Sequence, residues 1–421
     1  MLSIAPPLTP PLDIEQLRIV LMSSLLSRQR REPLVLRIDD RDPQSSEGYT
    51  EEELRELLKK FAVEPEHHFY QSEQRSRHQR FAVQLLEQGD AYLCTCGLSG
   101  EEGAPTEYCE GSCIQEQKKR SVEIKTGNLP YAIRIKPPAE PLVWQDTVLG
   151  ERRVSTEVLD GFLLLDHRGI PSADLAAACD DMLWGISVLI RPQSACQSTA
   201  RQIHIQRSLG YKAEISYAHL PPISAAGEAS PPAVTALLAE GFLPDAIINC
   251  LLQLGTKRPV ERFTLPEALE WFALSSYRAQ PAVCEMEMLR RLNRLHLEAM
   301  DPVALSGIAG FADADIGRVL KLCLRERWSL EDLRQCIAQI FSPKACDDQM
   351  CRIAALIRQA PMLDDYSAFL RYLSQHSGLD KPNLLQPLRQ LMTGTLSGLE
   401  PEEIYPLIKP YITEIARCKS C

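Results

Sequence analysis

The sequence predicts an α/β front, a small cysteine-rich insertion and an all-α rear, and three observations carry that expectation. Short apolar runs alternate with helical periods over the first 90 residues, and four cysteines fall in a polar stretch at 91–125. From Pro232 onward the apolar positions recur almost entirely at helical spacing. At 421 residues the chain has room for about three domains and a large buried core.

Taken in order, Leu2–Ala5 is a short buried strand candidate. Ile14, Leu17, Val20, Leu21 and Leu25 then recur at helical spacing behind Asp13, an N-cap residue by type and place. Leu34–Ile38 is a second strand, ending in Asp39-Asp40-Arg41-Asp42-Pro43, and Tyr49–Phe61 and Arg75–Gln88 are amphipathic helices. After the insertion, strand signals return at Tyr131–Ile135, Leu142–Trp144 and Phe162–Leu165, with a helix at Ala173–Leu183 and a strand at Ile186–Arg191. This is the second half of the same sheet, and Pro221–Pro232 is the loop that follows it. Pro281, Pro302, Pro343, Pro361, Pro382 and Pro401 punctuate the helical rear.

Composition narrows the function. Forty-six Lys and Arg against 56 Asp and Glu give a net charge of −10, which excludes a protein that holds nucleic acid through global positive charge, DNA included. No apolar run approaches the ~20 residues that span a bilayer, and Met1 to Pro7 lack the basic and long apolar regions of a signal peptide, so no membrane partner and a cytoplasmic location are expected. Fourteen cysteines in that compartment are expected to stay reduced rather than form a disulfide scaffold.

Spacing singles out some of them. Cys94-Thr95-Cys96 and Cys109-Glu110-Gly111-Ser112-Cys113 supply four soft thiolates on tight turns, a set that suits a structural Zn2+; the alternative is four unrelated small core residues. Cys418 and Cys421 also have metal spacing but sit where chain ends fray, so an inert pair is expected there. Asp39, Asp40, Asp42, Asp174, Asp180 and Asp181 end or follow strands, where α/β proteins place ligands. They suit a metal or a cationic group, or else cap helices and pair with Arg37, Arg41 and Arg191, which we prefer. Neither G-x-x-x-x-G-K-[ST] nor G-x-G-x-x-G occurs. Basic clusters at Arg28-Gln29-Arg30-Arg31, Lys118-Lys119-Arg120, Arg152-Arg153 and Arg290-Arg291-Leu292-Asn293-Arg294 are expected to be solvated faces. The 44 residues between Lys212 and Lys257 contain no Lys or Arg, so any phosphate handled there would rest on backbone N–H groups alone.

The segment Leu36-Arg37-Ile38-Asp39-Asp40-Arg41-Asp42 resembles the LRIEDTD segment of glutamyl-tRNA synthetases. Tyr70-Gln71-Ser72-Glu73, Cys179-Asp180-Asp181-Met182-Leu183-Trp184-Gly185-Ile186, Tyr217-Ala218-His219-Leu220-Pro221 and Ile404-Tyr405-Pro406-Leu407-Ile408 are similar to later segments in the same order. The likeness spans essentially the whole chain and is strongest toward the compact synthetases of the Campylobacter and Helicobacter group. It implies a Rossmann-type class I synthetase catalytic domain (1–90 and 126–225), a zinc-binding acceptor-stem-type insertion (91–125), a helical stem-contact region (226–310) and an anticodon-binding-like region (311–421). It also implies Cys94, Cys96 and Cys113 as metal ligands, with Cys109 where a Tyr is common.

At the catalytic positions the sequence departs from the family pattern. Asp13-Ile14-Glu15-Gln16 stand where a HIGN- or HIGH-type tetrapeptide contacts ATP, so two carboxylates face a polyanion and Glu15 fills space that needs bare backbone. The Arg that pairs with the substrate carboxylate aligns with Ser3, and Pro10 and Pro11 stiffen the loop. Asp39 keeps the acidic character of its segment, the Tyr and Asn of the glutamate pocket align with Ala173 and Asp174, and of RGEDH only Arg191 remains. The KMSKS-like position reads Ser224-Ala225-Ala226-Gly227-Glu228-Ala229-Ser230-Pro231-Pro232, without a cation.

Losing one preorganised donor costs roughly 10²–10³ in rate, and at least three independent groups differ here. The expectation is a glutamyl-tRNA synthetase-like protein with impaired or absent aminoacylation that binds tRNA, a true synthetase or another translation protein. The alternatives are an active glutamate–tRNA ligase, which would need ATP and Mg2+, and a protein-interaction or ligand-sensing paralogue.

Overall fold

The computed structural model describes residues 1–7, 11–41, 50–96, 109, 113–116, 118, 121–122, 124, 130–225, 231–256 and 261–419. Of the positions singled out above, Pro10, Asp42, Pro43, Tyr49, residues 110–112, Lys119, Arg120, residues 226–230, Lys257 and Cys421 lie outside them. The chain divides into two units, Met1–Ala236 with Ile248–Glu285, and Leu237–Ile247 with Met286–Cys421.

In the first unit the strands are β1 (Leu2–Ile4), β2 (Leu34–Ile38), β3 (His67–Tyr70), β4 (Ala91–Cys94), β5 (Ala132–Ile135), β6 (Leu142–Asp146), β7 (Gly150–Val154), β8 (Leu163–Leu165), β9 (Val188–Pro192), β10 (Ser216–Leu220), β11 (Ile223–Ala225) and β12 (Ala282–Cys284). The main sheet has the order β3-β2-β1-β9-β10-β6-β7, parallel except for the β6–β7 hairpin. Every residue of β1 and β2 is buried, as in a parallel strand covered on both faces. The chain leaves β1 toward β2 on one side, while β9 pairs on its other side, so β1 stands at the switch point where open α/β sheets bind ligands beyond the strand ends.

The first three helices are α1 (Ile14–Arg30), which packs on β1 and β9, α2 (Glu51–Lys60) and α3 (Arg75–Gln88). Helix α1 starts at Asp13, as its sequence predicts, and Ile14, Leu17, Val20, Leu21 and Leu25 are all buried. Helices α4 (Ala173–Leu183) and α5 (Cys196–Ser208) pack on each other, and Ser172 Oγ accepts the Leu175 N–H at 3.2 Å to cap α4. Strands β4, β5 and β8 form a separate antiparallel sheet, which carries Cys94 at its edge.

The second unit is helical, and one continuous core runs through it, with Leu320, Ile353, Leu373, Leu388, Leu391 and Ile404 each fully buried. Its cysteines correct one expectation. Cys323 is bonded to Cys336 and Cys346 to Cys418, so these four are not free thiols, and Cys418 is held by Cys346 rather than paired with Cys421. Packing brings these partners together across 13 and 72 residues, separations at which no local spacing signals a pair.

The longer bridge generates a prediction. A 72-residue separation corresponds to about 4 kcal/mol of loop-closure stabilisation. Urea unfolding followed in the helical unit should shift down by at least that order on addition of a thiol reductant, and Cys346→Ser should remove only the share of its own bridge, leaving the effect of reducing Cys323–Cys336 and the disulfide of Cys351.

Candidate functional site

A cavity of about 520 Å³ opens at the switch point, at the ends of β1, β2 and β9 and the starts of α1 and α4. It brings together all eight positions flagged in the sequence: Ser3, Asp13, Glu15, Gln16, Asp39, Ala173, Asp174 and Arg191. It also includes residues the sequence did not single out for this site, chiefly Arg37, Gln71, Ser194, Ser198 and Gln202. Gln202 carried no distinguishing signal, since Thr199, His204 and Gln206 are further polar side chains buried on the same helix.

The helix end that faces the cavity is closed by its own side chains. Asp13 Oδ1 accepts the Gln16 N–H at 2.8 Å, and Gln16 Oε1 accepts the Asp13 N–H at 3.1 Å, a complete capping box. An uncapped helix N-terminus offers N–H groups and a partial positive charge to an anion; here a fixed carboxylate already takes that place. Glu15 stands in the first turn of the same helix, and its carboxyl accepts a backbone hydrogen bond from Ile223 in β11. Burial, reinforced by Asp13, pushes the Glu15 pKa above its ordinary value. The backbone just beyond residues 226–230 docks on the same helix start, with Ile14 N–H to Pro232 O at 3.3 Å and Val234 N–H to Leu12 O at 2.9 Å.

The two cations of the cavity wall face inward. Arg37 reaches Asp181 at 3.0 Å and Arg191 reaches the same carboxylate at 3.7 Å, with Asp181 only 1% exposed. Burial raises the Asp181 pKa in spite of both guanidiniums, and it lowers that of Arg191. Arg191 also donates to Thr199 Oγ1 at 3.1 Å. That hydroxyl shares a 2.9 Å hydrogen bond with His219 Nε2, and His219 Nδ1 lies 2.5 Å from Asp146. Asp146 is held low because hydrogen bonds from His219 and the Val148 and Leu149 amides outweigh its burial. The other acids of the strand ends are paired or capping: Asp39 with Arg41 at 2.8 Å, Asp40 with the Ser72 N–H at 2.8 Å, and Asp180 with His78 at 2.7 Å.

A second constellation lies in the cysteine insertion. The sulfurs of Cys94, Cys96, Cys109 and Cys113 all fall within 4.8 Å of one another, with Cys96 at 3.5 Å from Cys113 and 3.9 Å from Cys109. Tetrahedral Zn–S bonds of ~2.3 Å place sulfurs about 3.8 Å apart, so the donor set fits such an ion. Without a metal, burial pushes the Cys94 thiol up to about 12, while the fully buried Arg134 acts in the opposite direction. Gly161 closes one side: with φ at +61° it is in the left-handed region, and a Cβ there would stand 2.9 Å from the Tyr92 hydroxyl.

Among the described residues no helix is long and apolar enough to cross a membrane. The family model for the catalytic domain of class I tRNA synthetases (E and Q) matches residues 3–291. "Glutamate--tRNA ligase 2" of Sulfurovum is 38% identical over 428 residues, covering 99% of this chain and 100% of the relative. "Glutamate--tRNA ligase 1" of Campylobacter jejuni is 30% identical over 435 residues, at 99% and 100% coverage. A glutamate tRNA ligase structure from Elizabethkingia meningosepticum, in complex with its amino acid, superposes with a TM-score of 0.80 at 20% identity, covering 99% of this chain and 98% of that one.

Glu15 provides a pH test of this site. Its folded-state pKa is raised, so its charged form costs stability above that pKa and the cost vanishes below the ordinary value of 4.5. Glu15→Gln should therefore raise Tm at pH 7.5, and the gain over the wild type should fade as the pH is lowered toward 4.5.

Proposed function

Because the chain belongs to the class I tRNA synthetases for glutamate and glutamine, we propose that it is a glutamyl-tRNA synthetase-like protein that has kept the scaffold and lost adenylate formation. The observation that carries this is the capping box: the helix start that should receive the phosphates of ATP is occupied by the Asp13 carboxylate, with Glu15 beside it. Three further features support it. Arg37 and Arg191 are both turned onto Asp181, which offsets one of their two charges. Ser3 and Ala173 offer no charge to a substrate carboxylate, and no Lys or Arg lies between Lys212 and Lys257 to balance a leaving pyrophosphate.

In this reading the protein acts in the cytoplasm and binds tRNA, or docks on a true synthetase or another translation protein. Residues 91–125 serve as the acceptor-stem-type insertion, with a Zn2+ on Cys94, Cys96, Cys109 and Cys113 organising a segment too polar to fold by apolar burial. The helical regions 226–310 and 311–421 serve as stem-contact and anticodon-binding-like surfaces. The names of the relatives favour a second reading, an active glutamate–tRNA ligase using ATP and Mg2+.

Incubation of the purified chain with total tRNA, ATP and labelled glutamate separates the two. We expect no charging above background beside an authentic synthetase, together with a gel shift that favours tRNA over random RNA at physiological salt. Charging that Arg191→Ala abolishes would establish the ligase instead. Metal analysis of the same preparation should give about one zinc per chain, falling when Cys94 or Cys96 becomes Ser; a folded, metal-free protein would refute the site.

A further inference from the structure

The wall of the cavity carries four carboxylates, Asp13, Glu15, Asp39 and Asp174, against two guanidiniums, Arg37 and Arg191. Both guanidiniums turn away onto the one buried carboxylate of Asp181, so an anionic ligand would meet a triad with a single net positive charge rather than two free cations. The carboxylates differ in how firmly they are engaged. Asp13 caps α1 at 2.8 Å and Asp39 is clamped by Arg41 at 2.8 Å. Asp174 has only long contacts, 3.4 Å to Arg201 and 3.3 Å to the Gln202 side-chain amide.

Gln202 supplies an independent observation. It lines the same cavity, is 4% exposed and donates Nε2 toward Asp174, while its Oε1 is buried without a hydrogen-bond partner. A buried acceptor left unanswered is costly, and a ligand that donates to it removes the cost. Asp174 on α4 and Gln202 on α5 thus meet at one wall of the cavity, and Val20, Ala173, Ala177 and Leu189 add apolar lining beside the polar Ser3, Gln71 and Ser198.

We propose that this cavity binds a small aliphatic cation, an ammonium or guanidinium on a hydrocarbon chain, with its charged head on Asp174 and the Gln202 carbonyl. The proposal rests on the reading that adenylate formation is lost, since a working ligase would fill the same cavity with ATP and glutamate. The chemistry is shared by free amines and by basic amino acids, and the probes separate these two sources.

Isothermal titration calorimetry of the purified full chain at low salt, with 1,4-diaminobutane, agmatine, L-lysine, L-arginine, L-glutamate and ATP, tests it. We expect saturable binding of at least one cation, weakened at least about tenfold by the near-isosteric Asp174→Asn. Agmatine without arginine would identify a free amine, and arginine without agmatine a basic amino acid; either supports the proposal. Should Asp174→Asn fail to fold, Gln202→Glu gives the converse readout, because a second carboxylate should tighten the cation. No saturable heat from any of the four cations, or equal affinity in the wild type and both variants, would overturn it. Glutamylation of tRNA by the same preparation would instead overturn the reading beneath it, and silence in both assays would sink this proposal alone.

Discussion

Two adjacent carboxylates near the end of α4 hold the frame of the cavity. Asp180 and Asp181 are each 1% exposed, and between them they bind His78 on α3 at 2.7 Å, Gln71 after β3 at 2.6 Å, Arg37 on β2 at 3.0 Å and Arg191 on β9 at 3.7 Å. Two strands, a helix and a turn that are distant in sequence are thereby tied to one dipeptide. Breaking one partner of such a buried set costs roughly 3–5 kcal/mol, so the group persists for the fold whether or not the cavity does chemistry. This explains how Arg191 can remain while its neighbours in the segment have changed: its guanidinium is needed inward.

The same separation between frame and face recurs in the insertion. Its described residues rest on the small β4–β5–β8 sheet and on four sulfurs, with Cys94 and Cys113 fully buried. Tyr92 and Arg134 stand opposite each other in that sheet and close around the sulfurs, and Arg134 donates to the Gly161 carbonyl at 2.8 Å. A buried cation beside thiolates lowers the charge that the pocket must hold, which is an arrangement suited to a metal and of no evident use to an apolar core.

Strand and helix positions near the cavity were legible because their signals are local. Leu34–Ile38 is apolar but for Arg37, and Asp13 is an N-cap residue standing directly before the first helical turn. Strand β3 was not, since His67 and His68 are exposed at the sheet edge and only Phe69 is buried, leaving no alternation to read. The three-residue β12 is too short to show a period. Asp39 and Asp174 were legible as strand-end acids, and the ion pairs of Arg37, Arg41 and Arg191 with such acids are the ones expected; Ser3, Ala173 and the α1 positions were legible only through the resemblance. The Gln202 contact with Asp174 spans 28 residues, and no pattern in the sequence announces it. The disulfides failed for a related reason, because compartment predicts what thiols do on average and packing decides which ones meet.

The closed helix start also bears on how this chain can change. Ile14, the residue shared with the HIGH-type pattern, is 1% exposed and fixed by packing, whereas Asp13 and Gln16 depend on each other. Any exchange at Asp13 toward a phosphate-binding side chain gives up the cap, about 1 kcal/mol of helix stability, while Glu15 still repels the anion. Because Asp13 and Gln16 each hold the other's backbone N–H, neither can be exchanged alone without opening the helix start, and the two positions behave as one unit.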